Sequence, residues 1–144
     1  MSAQDPALDA PFRSRRGRAM SLATATVSLV LFGALALLIR GWGPADRLLM
    51  FGLGAGMAAF LVRYALIAAE PRPEGLRVRN LFLSRMVPWD EIEDVTFPEG
   101  DAWAKLDLAE GDELAVMAIQ RADGDHARAE ADRLARLVID RRGR

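Results

Sequence analysis

Residues 19–39, AMSLATATVSLVLFGALALLI, and residues 48–69, LLMFGLGAGMAAFLVRYALIAA, decide the fold of this chain. The first run has 21 residues without a charge, and the second has 22 residues in which Arg63 is the one charged side chain. Because a helix rises about 1.5 Å per residue, each run matches the roughly 30 Å hydrocarbon core of a bilayer. The short connector, residues 40–47, makes the two helices antiparallel. The sequence therefore predicts a transmembrane helical hairpin with two spans.

The distribution of arginine predicts the orientation of this hairpin. Four arginines precede the first run and four more lie between residues 72 and 85, whereas the connector carries two. Basic residues in short segments near the membrane stay in the cytoplasm. We therefore expect a multi-pass protein of the cytoplasmic membrane with both termini in the cytoplasm. An alternative takes the first run as a signal sequence cleaved at Ala34-Leu35-Ala36, but the apolar run continues past that site.

Small and interfacial residues within the hairpin suggest how its helices pack. Gly52 and Gly56 have the spacing that lets two helices approach closely in lipid, so we expect them to contact the first helix. Homodimerisation or contact with a partner helix is the alternative. Arg63 and Tyr64 lie near the cytoplasmic end of the second run, where we expect them to anchor at the headgroups rather than form a proton or ion relay. Trp42 is the corresponding interfacial residue at the other end.

The polar part of the chain, residues 70–144, is acidic. It holds 12 Lys and Arg against 17 Asp and Glu, a net charge of −5. Non-specific affinity for nucleic acid comes mostly from basic residues, so we expect no nucleic-acid binding. The chain has no cysteine, which excludes disulfides, thiolate metal sites and a cysteine nucleophile.

Periodicity divides the chain into a basic N-terminal segment (residues 1–18), the hairpin (residues 19–69), a linker (residues 70–75) and a cytoplasmic domain (residues 76–144). In the last of these, alternating and short apolar runs bounded by turn residues predict about five strands. Apolar residues with helical spacing then predict a C-terminal amphipathic helix over residues 125–141. The predicted strands are residues 76–79, 82–87, 92–97, 102–108 and 114–119.

Three motifs of this domain resemble one family. They are Gly75-Leu76-Arg77-Val78-Arg79-Asn80, Val87-Pro88-Trp89-Asp90-Glu91-Ile92 and Ala118-Ile119-Gln120-Arg121. In the actinobacterial PH-domain family named for low molecular weight protein antigen 6, a Gly-x-x-Val-Arg-Asn strand, a Pro-Trp turn and an Ala-Ile-Gln segment come in the same order. The resemblance implies a small α+β PH-like domain after the hairpin, with an antiparallel sheet or partial barrel and one helix. A full pleckstrin-homology domain has seven strands, so the sheet is either trimmed or completed by another copy.

The sequence offers no convincing chemical site. Asp123, Asp125, His126 and Glu130 could be drawn as a metal cluster, but an Asp before a helix is a favoured N-cap, and structural zinc needs four ligands. Ser84 has no His near it in sequence. We therefore expect no metal, no cofactor and no enzymatic activity.

The remaining candidate site is a set of basic residues on the first two predicted strands, Arg77, Arg79 and Arg85. Three explanations stay open for them: contact with a protein partner, recognition of anionic lipid headgroups, or the arginine bias that accompanies membrane orientation. We interpret the chain as a membrane-anchored PH-like binding or scaffold module. Its expected partner is another membrane protein or a second copy of the chain, with anionic lipid as the alternative.

Overall fold

The computed structural model describes residues 7–143, so the first six residues of the predicted N-terminal segment and Arg144 lie outside the described residues. The chain divides into two compact units. One is the continuous stretch Gly17–Leu66, and the other combines Met1–Arg16 with Ile67–Arg144. The second unit therefore combines two stretches of the chain, one before and one after the first unit in sequence.

The unit Gly17–Leu66 is a pair of long helices. Helix α1 spans Arg15–Leu38 and α2 spans Pro44–Ala65. Both helices are long and apolar enough to cross a membrane. Pro44 occupies the first turn of α2, where its missing N–H costs no hydrogen bond, and Asp46 accepts a 2.9 Å hydrogen bond from the Gly43 backbone N–H. The predicted second run is too long at its C-terminal end, because it reaches Ala69 whereas α2 ends at Ala65.

The two helices approach each other at Gly54, which corrects the prediction for Gly52 and Gly56. A Cβ atom added to Gly54 would lie 2.5 Å from the Cβ of Phe32 on α1, whereas none added to Gly52 or Gly56 would meet an atom within 4 Å. Residues two apart point to roughly opposite sides of a helix with 3.6 residues per turn. The buried small residues of α2 are Gly54, Ala58 and Ala65, and the predicted glycine pair lies on the exposed side.

The described residues of the second unit form six strands, arranged in two antiparallel sheets. The first sheet has the order β1-β2-β3 and the second β4-β5-β6. The predicted fold class is confirmed, with one more strand than expected. The strands are β1 (Ala68–Arg72), β2 (Gly75–Arg79), β3 (Ser84–Pro88), β4 (Ile92–Thr96), β5 (Trp103–Leu108) and β6 (Glu113–Gln120).

Strand β1 occupies residues that the sequence assigned to the end of the second membrane run and to the linker. Its register pairs Ala68 with Arg79 and Arg72 with Gly75. Residues 67–69 extend the apolar run of α2, and Pro71 and Pro73 look like helix breakers, so a strand is hard to recognise there. Proline is nevertheless tolerated at the margin of a sheet, where a missing N–H need not break the ladder.

The N-terminal segment pairs with the outer edge of β1. Phe12 and Ala69 exchange two backbone hydrogen bonds of 2.8 and 3.0 Å, and the Phe12 ring is fully buried. The domain thus needs residues from before the helices as well as after them. The helical hairpin is an insertion in the domain, and the predicted domain of residues 76–144 omits both flanking pieces.

Arg133, on helix α3 (Asp125–Arg142), holds this segment in place. Its Nη1 donates to the carbonyl oxygens of Ala7, Leu8 and Ala10 at 3.1, 3.0 and 2.9 Å. The guanidinium lies 3.7 Å from the centre of the Phe12 ring, and Glu130 accepts hydrogen bonds from its other two nitrogens. Arg141 of the same helix adds a 2.6 Å ion pair with Asp9. A single helix therefore fixes residues 7–12 through charged and aromatic contacts.

The core lies between the two sheets and α3, whose predicted apolar stripe is buried. Strand β6 contacts β1 and β2, and α3 contacts β4 and β6. Side chains with no more than 1% exposure come from every layer and exclude water from the centre of the domain. They include Phe12, Leu76, Val78, Val87, Ile92, Leu106, Val116, Ile119, Leu134 and Leu137.

We expect Phe12→Ala to lower the free energy of unfolding of the domain by about 3–5 kcal/mol, because it empties a fully buried aromatic site. Urea unfolding of the full chain in mild detergent, followed by tryptophan fluorescence, measures this. Leu83→Ala is the control, since the Leu83 side chain is 54% exposed and its loss should cost less than about 0.5 kcal/mol. Equal effects of the two variants would show that the N-terminal segment does not belong to the domain.

We expect Gly54→Leu to destabilise the helical hairpin by about 1–3 kcal/mol, because the new side chain overlaps Phe32. Gly56→Leu is the control: it gains the same helix propensity, and a Cβ at this position has no atom within 4 Å. Thermal loss of helical circular dichroism in detergent micelles compares the two. A larger loss of stability from Gly56→Leu would contradict the packing described above.

Candidate functional site

The outer face of the first sheet gathers basic side chains from three segments. Leu76 and Val78 of β2 point into the core, so Arg77 and Arg79 point outward. The cross-strand partner of Arg77 is Glu70, which shares its face. Arg72 and Arg13, from β1 and the N-terminal segment, reach the same carboxylate at 2.8 and 3.5 Å. We call the set of Arg13, Arg72, Arg77, Arg79 and Glu70 the basic face.

Arg85, the third predicted arginine, lies on the other side of the sheet. Its cross-strand partner is Val78, a core residue, so it projects from the inner face at the exposed edge of β3. There it forms a 3.6 Å ion pair with Glu91 and lines a shallow cavity of about 180 Å³ with Leu108. The structure thus brings Arg77 and Arg79 together and separates Arg85 from them.

Glu70 is the single acid of the basic face, and its neighbours hold it ionised. The hydrogen bond from Arg72 lowers the pKa of the Glu70 carboxyl below its ordinary value, and the charges of Arg72, Arg79 and Arg13 act in the same direction. Four guanidinium groups around one carboxylate leave a net charge of about +3. Within the described part of the chain, no hydrogen bond or ion pair engages Arg77 or Arg79 with another side chain. Their donors face outward from the sheet.

The three predicted interfacial residues lie near opposite ends of α2. Trp42 belongs to the connector before the helix, and Arg63 belongs to its last turn with Tyr64 beside it. Because α2 ends at Ala65, Arg63 lies closer to the helix end than the length of the apolar run suggests. Gly52 and Gly56 take no part in the basic face.

A second group of arginines lines an open cleft of about 370 Å³ beside α3. Arg121 and Arg128 lie there with Phe97 and Asp132. Arg121 is already engaged, because it lies over the Phe97 ring at 4.6 Å and donates to the carbonyl oxygens of Pro98 and Asp101. Across residues 7–143, no three His, Asp or Glu side chains come together as a metal site. Arg121 of this cleft is thus already bonded, whereas Arg77 and Arg79 of the basic face carry no hydrogen bond to a side chain of the described residues.

Residues 72–137 match the sequence profile of the bacterial PH domain family. This region is similar to bacterial PH domains, and the fold of the second unit is PH-like. An uncharacterized protein of Mycobacterium tuberculosis is 39% identical over 94 residues, which cover 65% of this chain and 61% of that protein. Low molecular weight protein antigen 6 of the same species is 36% identical over 70 residues, 49% of this chain and 59% of the antigen. These matches confirm the family resemblance of the sequence motifs.

The chain thus spans about three fifths of the length of the curated relatives it matches. The Mycobacterium bovis counterpart of the uncharacterized protein has the same identity and coverage. No solved structure has a significant match to the chain.

The first signature motif of the PH-like domain holds its two sheets together. A Cβ on Gly75 would lie 2.3 Å from the Val87 carbonyl oxygen, so only glycine fits between β2 and β3. Asn80 donates to the Ala115 carbonyl oxygen at 2.7 Å and accepts from the Met117 N–H at 3.1 Å. Its amide therefore satisfies two backbone groups of β6 and links the β2–β3 turn to the second sheet.

The other two signature motifs are also structural. Trp89 is buried, and its indole N–H donates to the Arg72 carbonyl oxygen at 2.9 Å. Ala118, Ile119 and Gln120 are buried at the end of β6, before α3. The residues that identify the family therefore build the fold, and the arginines of the basic face carry the candidate function.

We expect Glu70→Gln to lower the free energy of unfolding at neutral pH by less than about 1 kcal/mol, the range of exposed ion pairs. A carboxylate whose pKa is lower in the folded protein stabilises the fold above its unfolded pKa, and this contribution disappears as the pH falls through the folded pKa. The variant should therefore lose less stability than the parent when urea unfolding is repeated below pH 4.5. Glu74→Gln, at an exposed turn, is the control, and an equal acid response of both variants would contradict the role of Glu70.

Proposed function

We propose that this protein is a membrane-anchored, non-enzymatic binding module whose PH-like domain docks an acidic protein partner on the basic face. The observation that carries the proposal is the convergence of four arginines from three segments around Glu70. An open sheet face with planar guanidinium groups suits carboxylates on a protein surface, because each group can donate two parallel hydrogen bonds.

Membrane anchoring rests on the helical hairpin and on its place in the domain. Phe12 pairs antiparallel with Ala69, so the chain running on towards α1 and the chain arriving from α2 pass the same end of the sheet. If both helices span the membrane, the chain returns to the side of the membrane from which it entered. The arginines that flank the hairpin favour the cytoplasmic side. This supports a cytoplasmic domain on two membrane spans.

A protein partner is favoured by the composition of the face. Met86 of β3 is 39% exposed and is the cross-strand partner of Arg77 on the same side of the sheet. Arginine and methionine are both enriched at protein interfaces. The proposed partner is another membrane protein with an acidic cytoplasmic surface, or the acidic part of a second copy of the chain.

Anionic lipid headgroups are a second candidate ligand for part of the face. Arg79 is the cross-strand partner of Ala68, the first residue of β1. It therefore lies at the end of the sheet where the chain arrives from α2, closer to a bilayer than Arg72 at the far end. A basic residue near an anionic leaflet contributes about 1 kcal/mol to membrane attachment.

Photocrosslinking of the full chain in cells tests the proposal, with a benzoylphenylalanine probe at Met86. We expect a discrete protein adduct that Arg77→Glu combined with Arg79→Glu reduces at least about tenfold, because charged hydrogen bonds contribute about 1.5–3 kcal/mol each. Glu70→Gln should strengthen the adduct, because it removes the negative charge of the face.

The matched control is Arg128→Glu, which reverses an exposed arginine on α3 and should leave the adduct unchanged. Adducts with lipid alone would establish the headgroup candidate in place of the protein partner. A protein adduct that is insensitive to all three charge changes would show that the basic face is not the docking surface.

A further inference from the structure

Exposed apolar side chains of the PH-like domain concentrate at one turn. Among the described residues of this unit, four large hydrophobic side chains are exposed. Phe82 and Leu83, 78% and 54% exposed, lie in the β2–β3 turn, and Met86 lies two residues into the strand that follows. Only Ile139, on α3, lies elsewhere. We call residues 80–83 the apolar turn.

The strand register places the apolar turn at a defined end of the first sheet. Arg79 and Ser84, which flank the turn, are cross-strand partners. Arg79 is also the partner of Ala68, which follows Ile67 at the start of this unit. The apolar turn therefore lies at the end of the sheet where the chain arrives from α2 and departs towards α1.

The sequence around the apolar turn is free of negative charge. No Asp or Glu occurs between Leu76 and Trp89, and Arg79 and Arg85 flank the apolar residues. Other turns of the domain are acidic, with Glu74 between β1 and β2, and Glu110 and Asp112 between β5 and β6. An apolar tip between two arginines matches both layers of a bilayer surface, where hydrocarbon lies beneath anionic headgroups.

We infer that the apolar turn is a third membrane contact of the protein. Phe82 and Leu83 enter the interfacial layer of the bilayer that holds the helical hairpin, and Arg79 lies at the headgroups, whereas Arg85 is paired with Glu91. This inference rests on the proposed membrane anchoring. The occupant is the lipid surface, because the turn is apolar, flanked by positive charge, and adjacent in the sheet to both connections with the hairpin.

A third contact would restrict how the domain can rotate on its two connections. Arg72 pairs with Gly75, four residues along β2 from Arg79, so it lies about 14 Å farther from the turn at roughly 3.4 Å per residue. With the turn in the interface, Arg79 would lie at the headgroups and Arg72 would face the cytoplasm. The same basic face would then contact lipid at one end and a protein partner at the other.

Site-directed spin labelling in vesicles tests this inference, because the chain has no cysteine to interfere. Single variants Leu83→Cys and Phe82→Cys carry a nitroxide on the turn, Leu31→Cys carries one in the middle of α1, and Asp112→Cys carries one on an acidic turn. The full chain is reconstituted in phosphatidylcholine mixed with anionic phosphatidylglycerol. Collisions of each nitroxide with oxygen, which partitions into lipid, are compared with collisions with a water-soluble nickel chelate.

We expect the labels at positions 83 and 82 to collide more with oxygen than with nickel, as at position 31, and the label at position 112 to show the reverse. Labels on the turn that behave like position 112, while position 31 stays in lipid, would overturn the inference and leave the anchoring intact. Low collisions with both reagents would place the turn under protein and also overturn it. An aqueous signal at position 31 would overturn the proposed anchoring, and the inference with it.

Discussion

The pairing of Phe12 with Ala69 is the constraint on which the rest of the structure depends. Two backbone hydrogen bonds join chain segments that are separated by the entire helical hairpin. They join a residue from before the hairpin to one from after it within one sheet, and at Ala69 they cover the outer edge of β1, whose unpaired backbone groups would otherwise invite another strand. The hairpin thus becomes an insertion in the PH-like domain, with two connections at the same end of one sheet.

Charged contacts, rather than a long series of backbone hydrogen bonds between strands, stabilise the pairing of Phe12 with Ala69. The bridge between the two segments is a single residue pair, so the N-terminal segment depends on Arg133 and Arg141 of α3. Arg133 donates to the carbonyl oxygens of Ala7, Leu8 and Ala10 and covers the Phe12 ring, while Glu130 balances its charge. This guanidinium is 14% exposed and donates through all three of its nitrogens, so its loss would break several contacts at once. Helix α3 therefore both closes the core and retains the segment that precedes the hairpin.

The sequence predicted the elements that local periodicity defines and missed those that depend on partners. Strands with alternating apolar residues and the stripe of α3 are visible in any window of a few residues. Strand β1 is hidden because residues 67–69 prolong an apolar run, and its edge partner Phe12 is distant in sequence. The side of the sheet on which Arg85 lies depends on the length of the turn before β3. A shift of one residue in the strand register would move this side chain to the opposite side. Similarly, the glycine spacing of α2 predicts a close approach but does not select Gly54 over Gly52.

The geometry of the basic face also bears on why its arginines are there. Membrane orientation favours arginine in the segments next to an apolar helix. The alternation of side chains along β2 is enough to put Arg77 and Arg79 on the same side of the sheet. Neither explains why Arg13, from before the hairpin, reaches the same carboxylate that Arg72 of β1 contacts. That convergence requires the strand pairing at Ala69 and the register of β1, so it is a property of the fold. In a domain whose overall charge is negative, a folded cluster of positive charge on an open sheet is what recognition of an acidic surface requires.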